Sequence, residues 1–371
     1  MDRRSFLRLG AAGTTVAIAG AHNIGFSLRA VHAATGGPYG PLQAADANGL
    51  KLPAGFTSRI VAKAGSKVSG TGYTWHSAPD GGACFPSANG GWTYVSNSEK
   101  GSGAGGAGSI TFGSGGSVLG ARRILSGTSR NCAGGATPWG TWLSCEENGS
   151  AGKVYECWPE NQQAAVVRPA LGSFNHEAAA CDPVGKAVYL TEDASAGKLR
   201  RFRPTTWGNL LTGVLEAAVV SAGKLTWTTT ISNGSSFNGG EGAWYAGGKL
   251  WFTTKGDNKV WEVDLRSSPM TIKVIYDDNT SPNPVLTGVD NIVGSSSGDL
   301  FVAEDGGNME LVMIAPDGGV SVFLRVINQS GSELTGPPFN PAGNRLLLSS
   351  QRGGNGSGVT YEVKGPFRTM A

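Results

Sequence analysis

One short pattern recurs six times along this chain, and it limits the possible folds more than any other feature. A glycine leads a run of aromatic and β-branched residues that ends in small residues and acids. The copies are GWTYVSNSE at 91–99, GTWLSCEE at 140–147, GKAVYLTED at 185–193, GKLWFTTKGD at 248–257, GDLFVAED at 298–305 and GNRLLLSSQ at 343–351. The leading glycines are separated by 49, 45, 63, 50 and 45 residues. That period suits four short strands and their turns, the content of one propeller blade. Six copies predict an all-β, six-bladed β-propeller with a metal site at its central channel. Two β-sandwich domains are the competing architecture, and near-even spacing over the whole chain weighs against them.

The segments between the copies fit this reading. Strand-like runs at 109–112, 259–264, 272–276, 320–324 and 359–363 are expected to be outer strands. A short helix is expected near 206–215, inside the longest interval. The run at 56–62 should pair with the last strands and close the ring. Glycine, at 59 of 371 residues, lacks a collagen-like period and so signals turns.

Arg3-Arg4-Ser5-Phe6-Leu7 begins a weakly apolar stretch that ends in small residues near Ala33 and Ala34. We read residues 1–34 as a twin-arginine signal peptide and 35–371 as a single propeller domain. The chain is then exported, to the periplasm or beyond the cell. The leader carries four arginines and one aspartate, so the remainder is formally neutral, with 26 residues of each sign. Neutrality argues against a nucleic-acid partner, and no basic run suggests a membrane surface after export. A monomer acting on a small molecule is the expectation.

Only His76 and His176 remain after the leader, which excludes a polyhistidine zinc or copper site. The five cysteines, Cys84, Cys132, Cys145, Cys157 and Cys181, form no C-x-x-C pair. An odd number leaves at least one free or ligating.

The acids carry the functional argument. If the repeated runs are innermost strands, Glu99, Glu146, Glu147, Glu192, Asp193, Asp257, Glu304 and Asp305 meet at one channel mouth. So many carboxylates need counter-charge, and oxygen ligands suit calcium, magnesium or ferric iron. Glu177, Glu241, Asp290 and Glu333 lie 6–16 residues before their runs, where loops on the same face are expected, and form a second ring of acids. Cys132 stands in a glycine-rich segment before the second copy, where a thiolate beside carboxylates favours iron.

The runs NCAGGATPWGTWLSCEE, NHEAAACDP, YLTED, GGEGAW and GSELTGPPFNPAG, with Asp290-Asn291 before FVAEDGG, resemble the PhoX-type alkaline phosphatase family, as a short member. The resemblance implies a calcium-dependent phosphomonoesterase (Ca2+) with ferric iron (Fe3+) held by a cysteine and carboxylates. Cys132 would be the iron thiolate, with Glu177 and Asp290 as iron-side carboxylates at the catalytic centre. Glu99, Glu146, Glu147, Glu192, Asp193 and Glu304 would be calcium or shared ligands. Long members carry Arg-Pro-Glu where this chain reads Gly288-Val289-Asp290, which leaves Arg130 and Arg352 as stand-ins for a phosphate-binding arginine. Two other readings stay open: a calcium-dependent lactonase-like or esterase-like propeller hydrolase, and a non-catalytic propeller stabilised by calcium.

Overall fold

From Leu50 to Lys364 the chain runs up and down in short antiparallel strands separated by glycine-rich turns. The computed structural model describes residues 36–353, 356 and 358–369. The expected twin-arginine leader and its cleavage site lie outside the described residues. Among those residues there is no α-helix, only strands and four single 3-10 turns. The fold is all-β and propeller-like.

Five sheets are present. Four hold four or five strands each, and the fifth holds nine. That large sheet is two meanders, His176 to Thr228 and Gly240 to Asp277, joined only through Lys224↔Thr271 and Leu225↔Met270. The segment expected to be helical is half of a hairpin within it. Arg200–Thr206 pairs with Asn209–Ser221 across a tight turn in which Gly208 has φ +88°. A left-handed residue at that point reverses the chain where a helix would need to continue.

All the expected outer strands form, and the ring closes as anticipated. Thr57–Lys63 pairs antiparallel with Val359–Lys364, so the first long strand completes the last sheet. Aromatic and aliphatic side chains fill the space between sheets; Phe56, Phe301, Phe323 and Phe367 form one such edge-packed group.

One expectation about position is corrected. The six repeated runs are strands, but each is second in its sheet rather than innermost. The inner edges are Pro79–Pro86, Asn131–Ala136, His176–Asp182, Gly240–Ala246, Val289–Gly294 and Leu334–Thr335. These inner strands can converge because they are built from glycine and alanine. A Cβ on Gly135 would stand 1.9 Å from Ala179 O, and one on Gly242 would stand 2.6 Å from Ile292 N. Glu177, Glu241 and Asp290, expected in loops before the repeated runs, therefore stand on these inner strands. Between the inner strands lies a channel cavity of about 420 Å³, walled by Gly81, Ala133, Gly135, Ala179, Gly242 and Ile292 among others.

Candidate metal centre

Five inner strands carry the same irregularity at the same place. Register shifts occur between Pro79 and Gly82, Asn131 and Gly134, His176 and Ala179, Gly240 and Ala243, and Val289 and Ile292. In each, two residues face one on the neighbouring strand, a β-bulge that re-aims a side chain. The first bulged residue is Asp80, Cys132, Glu177, Glu241 or Asp290. The second is small: Gly81, Ala133, Ala178, Gly242 or Asn291. The sixth inner strand, Leu334–Thr335, has no such bulge, and Glu333 immediately precedes it.

The residue opposite a bulge fastens the next sheet. Asn97 Nδ2 donates to Ala133 O at 2.7 Å, Thr191 Oγ1 donates to Glu241 O, and Thr253 Oγ1 donates to Asp290 O at 2.6 Å. The backbones at Ala133, Glu241 and Asp290 are thus each held by the second strand of the preceding meander.

A second ring lies just past the end of each second strand. Its members are Glu99, Glu147, Asp193, Lys255, Asp305 and Gln351. Ligand atoms from the two rings gather into three overlapping groups: Cys132–Glu147–Glu177, Glu177–Glu241–Asp290 and Asp290–Asp305–Glu333. Within each group these atoms lie within 4.8 Å of one another. Glu177 and Asp290 belong to two groups each.

Burial sets the electrostatics. Asp80, Glu177, Glu241 and Asp290 are all at most 5 % exposed. Desolvation, reinforced by neighbouring acids, holds the Glu177 and Asp80 carboxyls well above the usual range. The same causes push Asp290 to about 7, against the opposing pull of Lys255, and Glu333 to about 9. Burial and four carboxylates also push the Cys132 thiol up. Cys132 Sγ lies 3.6 Å from Asp80 Oδ2, which also accepts from Gln351 Nε2 at 2.6 Å.

These residues fit metal ions. Glu177 Oε1 is buried and accepts no hydrogen bond, a costly state for an oxygen that a cation would satisfy. One group offers sulfur and oxygen, and the other two offer oxygen alone. All five cysteines are free, so Cys132 is not committed to a disulfide.

Not every predicted ligand reaches the rings. Consecutive strand residues face opposite ways, so each acidic pair contributes one member. Glu147, Asp193 and Asp305 take the ring positions, and Asp193 is near enough to raise Glu147, Glu241 and Asp290. Their partners turn away. Glu146 accepts from Ser129 N at 2.8 Å, and Glu192 accepts from Arg200 at 2.7 Å. Glu304 accepts from Thr287 N at 2.9 Å and Glu310 N at 3.1 Å. Asp257 pairs with Lys259 at 3.0 Å. Glu99 does reach the mouth, where it pairs with Arg352. Sequence reasoning missed Asp80 and Lys255. The run Asp80-Gly81-Gly82-Ala83 shares its ligand-then-small pattern with Cys132-Ala133-Gly134-Gly135, which was the available signal.

Comparison with known proteins bears on this geometry. The family model described as Alkaline phosphatase PhoX matches residues 104–162, a span that includes Cys132 and Glu147. Over that span the chain is similar to this family. By structure it resembles Pseudomonas fluorescens PhoX in complex with vanadate, a transition state analogue, with TM-score 0.74 and 16 % identity. That match covers 88 % of this chain and 97 % of the other. A gluconolactonase from Xanthomonas campestris is more distant, with TM-score 0.53, 12 % identity and coverage of 89 % and 98 %. These likenesses establish the fold. No curated protein matches the chain by sequence.

Proposed function

We propose that this chain is an exported phosphomonoesterase whose two rings hold metal ions at one end of a six-bladed propeller. The blade count follows if the nine-stranded sheet is two blades fused along their outer edges. Residues 1–34 would be the twin-arginine leader, and the product would act in the periplasm or outside the cell.

The observation that carries the reading is the run of three linked ligand groups, one containing a thiol, around a buried oxygen without a partner. Cys132, Glu147 and Glu177 would hold ferric iron, since sulfur with oxygen suits it. The all-oxygen groups built on Glu241, Asp290, Asp305 and Glu333 would hold calcium, so Asp290, which shares no group with Cys132, would serve calcium rather than the iron expected from the resemblance. Bound there, the ions would supply Lewis-acid stabilisation of the charge that builds up during phosphoryl transfer.

The chain's own residues do the rest. The bulges aim Asp80, Cys132, Glu177, Glu241 and Asp290, and the hydrogen bonds from Asn97, Thr191 and Thr253 anchor the backbone at Ala133, Glu241 and Asp290. Gln351 and Cys132 converge on Asp80, which places that carboxylate behind the sulfur. Where the inner strands approach most closely, at Gly135 and Gly242, there is no room for a Cβ. A calcium-only hydrolase of lactonase type would have no use for a cysteine at this position.

Replacing Cys132 with alanine tests the assignment. Iron should be lost while calcium stays, and hydrolysis of p-nitrophenyl phosphate should fall with the iron. Retention of iron in Cys132→Ala would refute the ligand set.

A further inference from the structure

The mouth ring breaks its own pattern at two places. Four of the six second strands are followed by a carboxylate: Glu99, Glu147, Asp193 and Asp305. The second strand that ends at Thr254 is followed by Lys255, and the one that ends at Ser350 by Gln351 and then Arg352. Lys255 Nζ lies 2.8 Å from Glu241 Oε1 and 3.1 Å from Asp305 Oδ2. Arg352 Nη1 lies 2.6 Å from Glu333 Oε1, and its Nη2 donates to Glu99 Oε2. Both side chains keep part of their surface in solvent, 34 % for Lys255 and 47 % for Arg352.

The two cations are not spread evenly. They flank the Asp290–Asp305–Glu333 group, pairing with Asp305 on one side and Glu333 on the other. Neither forms an ion pair with Cys132, Glu147 or Glu177. The rim beside that group is therefore basic. Metal ions bound by Glu241 and Glu333 would take over the charge that Lys255 and Arg352 now neutralise, freeing two donors at the rim. An ammonium and a planar guanidinium complement a tetrahedral dianion, the second by two parallel hydrogen bonds.

We propose that Lys255 and Arg352 are the phosphate-binding pair of this chain, receiving the phosphoryl group of the substrate at the mouth of the metal ring. The assignment rests on the phosphomonoesterase reading above. It gives Arg352 a geometric basis that Arg130 lacks, since Arg352 forms ion pairs with both rings.

The test is calorimetric titration of inorganic phosphate into metal-loaded wild type, Lys255→Met, Arg352→Met and Lys255→Arg, with metal content measured on the same samples. Each Met variant should keep the wild-type metal content and bind phosphate about 10-fold or more weakly, the loss expected for a charge-assisted bond. Lys255→Arg should recover part of that loss. Unchanged phosphate affinity in both Met variants would overturn the pair, as would loss of metal, which would make these side chains positioning groups for the acids. Wild type that hydrolyses p-nitrophenyl phosphate alongside unaffected variants sinks this assignment alone. Wild type that neither binds phosphate nor hydrolyses the ester sinks the phosphomonoesterase reading with it.

Discussion

Glu177 and Glu241, on adjacent inner strands, bring carboxylate oxygens within 4.8 Å of each other, and Glu177 Oε1 has no hydrogen-bond donor. Two buried carboxylates in that relation cannot both ionise without a cation between or beside them. Lys255 supplies one positive charge to Glu241 and none directly to Glu177.

Glu177→Gln should therefore act in opposite directions with and without metal. In chelator-treated protein at pH 8 the variant should be more stable, by about 1 kcal/mol or more, one pKa unit being worth about 1.4 kcal/mol. Metal affinity should fall at least about 10-fold, the lower range seen even for outer-shell changes. Thermal melts with and without metal check both signs.

The same acids give the metal-free protein an unusual pH dependence. Asp290 and Glu333 are raised to about 7 and about 9, chiefly by burial, and burial also raises Asp80, Glu177 and Glu241 well above the usual carboxylate range. An acid with a raised folded value binds its proton more tightly when folded, so its stabilisation is complete below about pH 4 and lost as pH rises. Chelated protein should thus melt at progressively lower temperature from pH 5 to pH 9. Metal should reverse the slope, because the ligands must be deprotonated to bind.

Thr253→Val removes the hydroxyl that donates to Asp290 O at 2.6 Å while keeping the side-chain volume. We expect a stability loss of about 1 kcal/mol. Metal affinity should drop about 10-fold, as for the loss of other groups that orient ligands. Isothermal titration with calcium reads the second effect apart from the first.

Glu304 separates structural acids from ligands. Its carboxylate accepts two backbone N–H groups, from Thr287 and Glu310, and turns away from the rings. Glu304→Ala should cost about 2 kcal/mol by leaving those donors unpaired. Metal content, measured by elemental analysis of the folded variant, should not change.

The propeller and the acid-rich channel end were legible because both repeat. Leading glycines, strand-like runs and terminal acids recur at a blade's period, and ring closure by 56–62 followed from it. The layer order was not legible. Glycine- and alanine-rich segments such as NCAGGA look like loops by composition, yet close packing at the axis needs small residues in the innermost strands. Which acid of each pair faces inward was hidden for a related reason. Alternation assigns the members to opposite sides, but only strand pairing fixes the phase, so Glu146, Glu192 and Glu304 were read as ligands. Asp80 and Lys255 stood apart from the repeated acids and gave little signal alone.

The central claim is that the thiol and carboxylates of the two rings hold the metal ions that hydrolysis needs. Elemental analysis of the purified protein, run with p-nitrophenyl phosphate assays before chelation, after it and after metal return, tests that claim most directly. The account predicts iron and calcium in the active protein, loss of hydrolysis on chelation and its recovery when both metals are restored. Hydrolysis that persists in protein shown to be free of metal would contradict it.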